Sequence, residues 1–147
     1  MAKKKKIISK KKVAKKKATP KKPKVEQQIH PLIGWIELNT QNTDSSTNFY
    51  TELFGWKTKV QNIPDMGPYT MFGKNSKNLM GGISKPMDPN SASHWLIYFT
   101  VKNVDKSVAE ALRLGATVIA PAMDIPDGRI AILIDPTGAI FAVWQPK

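Results

Sequence analysis

Hydrophobic and polar positions follow the same pattern in two stretches of this chain. The first, WIELNTQNTDSSTNFYTELFGWKTKV, begins at Trp35, and the second, LIYFTVKNVDKSVAEALRLGATVIA, begins at Leu96. An offset of 61 residues superposes them. The matched positions are Asn42 with Asn103, Asp44 with Asp105 and, after a slip of one residue, Gly55 with Gly115. A self-match of this kind indicates an internal repeat of one supersecondary unit.

Each copy reads as a strand, a helix and three further strands. Asp44 and Asp105 are candidate helix N-caps, and Gly55 and Gly115 stand where helices end. Apolar residues at helical spacing predict the packed faces of the two helices: Phe49, Leu53 and Phe54 in the first, and Val108, Ala111 and Leu112 in the second. The following strands are expected at about 56–61, 69–73 and 78–84, and at about 116–120, 128–134 and 139–145. The sequence therefore predicts an α+β fold of two tandem βαβββ units, about 31–86 and 93–147.

Charge separates the first 28 residues from the rest. Of the 23 Lys and Arg residues, 13 lie in 1–28 beside a single acidic residue, so this segment carries the whole formal charge of +12. Such a lysine-rich segment is expected to be disordered and to bind polyanions without sequence preference. Nonspecific nucleic-acid binding through residues 1–28 and an inert extension are the two open interpretations. The domain is assigned to 29–147.

Composition excludes several other kinds of site. The chain has no cysteine, which rules out disulfides, thiolate metal sites and cysteine nucleophiles. No apolar run is long enough to span a bilayer, and no hydrophobic segment follows the N-terminal lysines as in a secretory signal. We expect no membrane association and a cytoplasmic location, nucleoid-associated if the tail binds DNA.

Three motifs and the repeat resemble the vicinal oxygen chelate superfamily, which includes glyoxalase I, bleomycin-resistance proteins and extradiol dioxygenases. The motifs are WIELNTQNTDSSTNFYTELFGW, FTVKNVDKSVAEALRLGA and DGRIAILIDPTGAIFAVWQP. They are most similar to a glyoxalase-like subgroup often labelled as hydroxylases. The resemblance implies that the two units form a U-shaped mixed sheet that cups a ligand, with one helix per unit. It also implies pairing of such domains as a homodimer.

The same resemblance implies where a metal would be bound. Metal-using members supply one ligand from the first strand and one from the last strand of each unit. The corresponding first-strand positions are Trp35 and Leu96. The last-strand position, four residues past the glycine of the Asp-Pro-x-Gly turn, is Ala142, and the repeat offset carries it to Gly81. These side chains have no donor for a divalent cation, so we expect neither metal nor cofactor.

A displaced metal site is the alternative to consider. His94 shares a strand face with Leu96, as Glu37 does with Trp35, so His94 and Glu37 are a candidate pair of ligands. No further histidine or carboxylate stands at matched spacing. The interpretation we favour is that His94, at the start of its strand, hydrogen-bonds a loop.

Strand alternation predicts the lining of the cup. The expected ligand-binding residues are Trp35, Glu37, Gly81, Leu96, Tyr98, Arg129, Ala142 and Trp144. Glu37 is also the candidate catalytic residue, since a carboxylate among apolar and aromatic groups needs a partner. Arg129 is the proposed partner, or an anchor for an anionic ligand. The alternative places Glu37 and Arg129 at exposed positions.

Three functions remain open from the sequence. The first is a metal-free protein that binds a small organic molecule in an aromatic cup. The second is an enzyme of the glyoxalase or dioxygenase type that uses a displaced metal or acid–base chemistry at Glu37. The third is a nucleic-acid-associated protein that acts through its lysine-rich tail. The sequence leaves enzymatic activity undecided.

Overall fold

The computed structural model describes residues 32–64 and 67–147. The predicted tail, 1–28, and the start of the domain at 29 lie outside the described residues. The elements, in chain order, are β1 (Ile33–Asn39), α1 (Thr43–Phe54), β2 (Lys57–Ile63), β3 (Gly67–Asn75), β4 (Asn78–Ser84), β5 (His94–Thr100), α2 (Val104–Arg113), β6 (Thr117–Ile125), β7 (Gly128–Ile134) and β8 (Ile140–Pro146). Within these residues, no helix is long and apolar enough to cross a membrane.

The strands of the described residues form one mixed sheet. Their order is β2-β3-β4-β1-β5-β8-β7-β6. Strands β1 and β5 pair antiparallel at the centre, and each pairs in parallel with the last strand of its own unit, β4 or β8. Each unit therefore contributes four adjacent strands and one helix. The predicted α+β fold of two βαβββ units is confirmed.

Both helices cover the same side of the sheet, which we call the helix face. Under α1, Tyr50 packs against Leu38, Phe72 and Ile83. The core under α2 contains Val104, Ala131, Leu133 and Val143, with Val108 and Ala111 packed against it. Alternation along each strand sends the intervening side chains to the opposite side, which we call the open face.

The helix N-caps differ from the predicted ones. The caps are Asn42 and Asn103, whose side-chain oxygens accept hydrogen bonds from the backbone N–H groups of Ser45 (3.0 Å) and Lys106 (2.8 Å). An N-cap side chain accepts from the backbone N–H three residues later, which identifies the asparagines as the caps. Each asparagine lies two positions before the predicted aspartate. The aspartates lie in the first helical turns, where their charge favours the helix dipole. At the other end of α1, Gly55 caps with φ +66°, as predicted.

The predicted apolar face of α1 was wrong. Phe49, Leu53 and Phe54 are each more than half exposed, because α1 is rotated so that Tyr50 points to the sheet instead. The Tyr50 ring stacks on Trp56 at a centroid distance of 5.5 Å, and Trp56 stacks on Phe72 at 4.2 Å. An aromatic stack therefore replaces the expected packing of Phe49.

The Asp-Pro-Thr-Gly turn sets the start of β8. The Asp135 carboxylate accepts hydrogen bonds from the backbone N–H groups of Thr137 (2.7 Å) and Ala139 (3.0 Å) and from the Thr137 hydroxyl (2.7 Å). These bonds hold the pKa of Asp135 below its usual value, the Thr137 hydroxyl contributing most. Gly138 supplies the positive φ, +97°, that the turn requires. The turn delivers Ala142 and Trp144 to the open face.

Candidate functional site

A carboxylate surrounded by hydroxyl groups lies on the open face. The Tyr69 hydroxyl donates to Glu37 Oε2 at 2.7 Å. Glu37 Oε1 receives two longer hydrogen bonds, from the Ser84 hydroxyl at 3.3 Å and from the Tyr98 hydroxyl at 3.5 Å. The Trp35 indole N–H donates to the Tyr69 oxygen at 2.9 Å. We call Glu37, Tyr69, Ser84, Tyr98 and Trp35 the Glu37 cluster.

Sheet register explains why these side chains meet. Glu37 on β1 lies opposite Gly82 on β4 and opposite Leu96 on β5. A Cβ atom at Gly82 would collide with the Tyr69 hydroxyl. Because Gly82 has no side chain, Tyr69 can extend from β3 across β4 to reach β1. Glycine is thus needed here for a close approach, not for an unusual backbone angle.

Burial keeps the two tyrosines protonated. It raises the pKa of Tyr69 and of Tyr98 well above 10.0, and the nearby charge of Glu37 raises both further. Neutral tyrosine hydroxyls are therefore fixed as hydrogen-bond donors to the carboxylate at ordinary pH. Glu37 itself is partly exposed.

An apolar wall continues from the Glu37 cluster toward β8. Leu96, Tyr98 and Ala142 are 3%, 8% and 0% exposed and form one packed group. The partly buried residues packed against this group are Trp35, Ile130, Ile132 and Trp144. A surface with aromatic and aliphatic walls around one polar group is typical of sites for small organic ligands.

Six of the eight predicted site residues share this face. Trp35, Leu96, Tyr98, Ala142 and Trp144 belong to the packed group, and Glu37 lies beside it. Sequence reasoning missed Tyr69, Ser84 and Gly82. Ser84 and Gly82 carried a usable signal, because they alternate along the predicted strand 78–84, but Tyr69 is reached only through the pairing of three strands.

Gly81 was assigned to the wrong face. A Cβ atom there would collide with the Phe72 ring and with the Ile36 carbonyl oxygen, both on the helix face. The register pairs Glu37 with Gly82 in the first unit and Tyr98 with Ala142 in the second. The residue equivalent to Ala142 is therefore Gly82, which is one residue from the predicted position.

Arg129 also lies on the helix face and does not reach Glu37. Its guanidinium contacts the Asp105 carboxylate at 2.9 and 3.1 Å and the Asp124 carboxylate at 2.9 Å. Alternation explains the error, since Ile130 faces the open side and its neighbour must point away. The proposed Glu37–Arg129 pair was wrong: tyrosine and serine hydroxyls occupy that role. Arg129 lines a separate surface depression of about 330 Å³.

The donor set does not fit the metal that the resemblance implies. With Gly82 in place of Gly81, the four positions hold Trp35, Gly82, Leu96 and Ala142, and none offers a ligand atom for a divalent cation. Within 32–64 and 67–147, no three His, Asp or Glu side chains are gathered closely enough to bind one. His94 Nδ1 lies 2.9 Å from the Ala92 carbonyl oxygen, which agrees with a loop-bonding role.

The fold and the position of the site define a class of protein. Residues 32–143 match the model of the Glyoxalase/Bleomycin resistance protein/Dioxygenase superfamily, and the chain belongs to this superfamily. The predicted resemblance is confirmed.

Two curated relatives share substantial sequence identity. Anthracycline biosynthesis protein DauV of Streptomyces sp. (strain C5) is 32% identical over 126 residues, which cover 76% of this chain and 46% of DauV. The "Putative glyoxylase CFP32" of Mycobacterium tuberculosis is 37% identical over 113 residues, which cover 76% of this chain and 43% of CFP32. The chain thus spans less than half the length of these relatives.

Solved structures share the fold at lower identity. The methylmalonyl-CoA epimerase of Streptomyces coelicolor has a TM-score of 0.57 and 18% identity, with coverage of 78% of this chain and 96% of that one. The epimerase of Mycobacterium tuberculosis has a TM-score of 0.58 and 14% identity, with coverage of 78% and 87%. These similarities establish the architecture.

Proposed function

We propose that this chain binds a small organic molecule on the open face, next to the Glu37 cluster, without the metal used by other members of its superfamily. The observation that supports the proposal is the convergence of the Tyr69, Ser84 and Tyr98 hydroxyls on one carboxylate beside an apolar wall, with the Trp35 indole N–H donating to the Tyr69 hydroxyl. The four positions that the resemblance assigns to metal ligands hold Trp35, Gly82, Leu96 and Ala142, which offer no ligand atom. A ligand would pack its apolar part on the wall and direct a polar group to Glu37.

Metal content and ligand binding test this function together. Protein purified without added metal is expected to contain well under one equivalent of Zn, Fe, Ni or Mn after dialysis. A fragment library of small aromatic compounds is then screened by tryptophan fluorescence and by ligand-observed NMR. Tyr69→Phe should weaken binding, whereas Tyr50→Phe, on the helix face, should not. Stoichiometric metal that disappears in Glu37→Ala or His94→Ala would contradict the proposal.

A second candidate function is acid–base catalysis by Glu37. It is favoured by the unequal hydrogen bonding of the carboxylate, since Oε1 has only long contacts and so is able to accept a proton from a bound ligand. Exchange of ligand hydrogen for deuterium in D₂O that requires Glu37 and is lost in Glu37→Gln would support this function. Unchanged exchange in that variant would exclude Glu37 as the base.

The remaining expectations from sequence stay predictions. Nucleic-acid binding was assigned to residues 1–28, which lie outside the described residues. A homodimer is expected from the resemblance and is checked by analytical ultracentrifugation of the full chain. The cytoplasmic and nucleoid locations follow only from the composition and the tail.

A further inference from the structure

The two oxygens of the Glu37 carboxylate are bonded unequally. Oε2 receives the Tyr69 hydroxyl at 2.7 Å, a distance typical of a strong hydroxyl–carboxylate hydrogen bond. Oε1 receives Ser84 and Tyr98 only at 3.3 and 3.5 Å. The Ser84 hydroxyl also lies 3.4 Å from Asn39 Oδ1, so its hydrogen is not committed to Glu37. Both contacts to Oε1 are longer than a typical O–H···O hydrogen bond, so Oε1 is the more weakly bonded oxygen and can accept a shorter hydrogen bond from another donor.

Within the described residues, Glu37 takes part in no ion pair. The ion pairs among residues 32–64 and 67–147 join Arg113 to Glu110, and Arg129 to Asp105 and Asp124. Lys59 is aligned with Glu37 on the open face through Met71 and Gly82, which places it three strands away. That separation is about 14 Å, beyond the screening length of about 8 Å at physiological ionic strength. Among the residues that the structure describes, the carboxylate is therefore held by neutral donors and by no ion pair.

From this asymmetry we infer the chemical class of the ligand: its polar group is a hydrogen-bond donor, a hydroxyl or a protonated amine, that bonds Glu37 Oε1. A carboxylate or phosphate at the same place would meet the Glu37 charge, which no described residue neutralises in an ion pair. The inference rests on the proposed function, because it concerns the molecule bound on the open face. It also reverses the expectation of an anionic ligand, which depended on Arg129.

The apolar wall restricts the rest of that ligand. Trp35 contributes both a ring to the packed group and an N–H that is already donated to Tyr69, so it offers mainly ring surface to a bound molecule. The Trp35 indole bonds the Tyr69 hydroxyl, which in turn bonds the carboxylate, so both rings belong to the same cluster. A ligand with a flat apolar body and a donor one or two bonds beyond it matches this arrangement.

Four probes that share one ring separate the alternatives: benzyl alcohol, benzylamine, benzoate and toluene. Dissociation constants are measured at pH 7 by ligand-observed NMR with the full chain. Benzyl alcohol and benzylamine are expected to bind at least tenfold more tightly than benzoate. A tighter amine would identify charge as the main contribution, and equal affinities would identify the donor hydrogen; either result supports the inference. Toluene should fall between the donors and benzoate.

Paired variants connect the preference to one residue. Glu37→Gln removes the charge while keeping the shape, and should reduce the difference between benzyl alcohol and benzoate to threefold or less. The matched control is Glu52→Gln, which removes the same charge from an exposed position on α1 and should keep the tenfold preference. Benzoate binding as tightly as the donors, or a preference that survives in Glu37→Gln, would overturn the inference and leave the binding site standing. Absence of binding by all four probes would contradict the proposed function itself, and the inference with it.

Discussion

Removal of the Tyr69 hydroxyl is the sharpest perturbation of the Glu37 cluster. Tyr69→Phe deletes the 2.7 Å hydrogen bond to Glu37 Oε2 and the acceptor of the Trp35 indole N–H at 2.9 Å. A hydrogen bond to a charged group contributes about 1.5–3 kcal/mol to stability. Trp35 is partly exposed, so water can replace its lost acceptor at little further cost. We expect a loss of about 2 kcal/mol in the free energy of unfolding.

Chemical denaturation of the full chain measures this loss, and a thermal melt should show a decrease in Tm of about 8 °C for a domain of this size. A double-mutant cycle with Glu37→Ala isolates the bond itself, because both residues must be present for it to form. The coupling energy is expected to exceed about 1 kcal/mol. Tyr50→Phe is the control, since its hydroxyl makes none of the side-chain hydrogen bonds described above. If the losses of unfolding free energy in the two single variants add up to the loss in the double variant within about 0.5 kcal/mol, the reasoning is refuted, however large each single loss is.

Three further predictions follow from the same structure and from the tail. Gly81→Ala should destabilise the protein by about 1–3 kcal/mol without loss of probe binding, because its Cβ meets the Phe72 ring and a backbone carbonyl on the helix face. Gly82→Ala should destabilise it by a similar amount and also weaken probe binding, because its Cβ displaces Tyr69. Denaturant melts and NMR titrations of both variants test this, and equal loss of binding would contradict the assignment of faces. Because the pKa of Tyr98 is raised in the folded state, the stabilisation that depends on its protonated hydroxyl is complete below pH 10 and is lost as the pH rises above 10 toward the folded-state pKa. The free energy of unfolding should therefore fall more steeply above pH 10 in wild type than in Tyr98→Phe, by about 1.4 kcal/mol per pH unit. Parallel curves of unfolding free energy against pH would contradict this prediction. Deletion of residues 2–28 should abolish binding to duplex DNA without a change in Tm. The DNA affinity of the full chain should fall by about two to three decades between 50 and 200 mM salt. DNA binding by the truncated chain would disprove the assignment of binding to residues 1–28.

The repeat made the fold predictable. Two copies of one pattern, each with strand-like alternation and a glycine after a helix, were sufficient to predict the order and type of the elements. The local signals agreed with the tertiary arrangement, since the predicted strands 78–84 and 128–134 have the bounds seen in β4 and β7.

The register of the last strands was not predictable from the same offset. The offset between the two units is 61 residues for their first strands but 60 for their last strands. The segment around the first helix is one residue longer than the segment around the second, as the match of Gly55 with Gly115 already indicated. A slip of one residue turns a strand position to the opposite face. Gly81 and Gly82 exchanged faces for this reason.

The partners of Glu37 depend on contacts that no local pattern encodes. Tyr69 reaches Glu37 from two strands away and only because Gly82 between them lacks a side chain. Charge alone favoured Arg129 as the partner, but its strand turns that side chain to the helix face, where α2 supplies Asp105. The charge of a side chain was therefore a poorer guide to the partner of Glu37 than the strand face on which the side chain lies.

The indole N–H resonances provide the most direct test of a ligand site at the Glu37 cluster. The chain has four tryptophans, which give four indole signals in a ¹H–¹⁵N spectrum, assigned by Trp→Phe variants. On titration with benzyl alcohol, the Trp35 signal should shift in a saturable manner, because its N–H is bonded to Tyr69 beside the carboxylate. The Trp56 signal should not move, because Trp56 stacks on Phe72 on the helix face. A saturable shift of Trp56 with Trp35 unchanged would contradict the account.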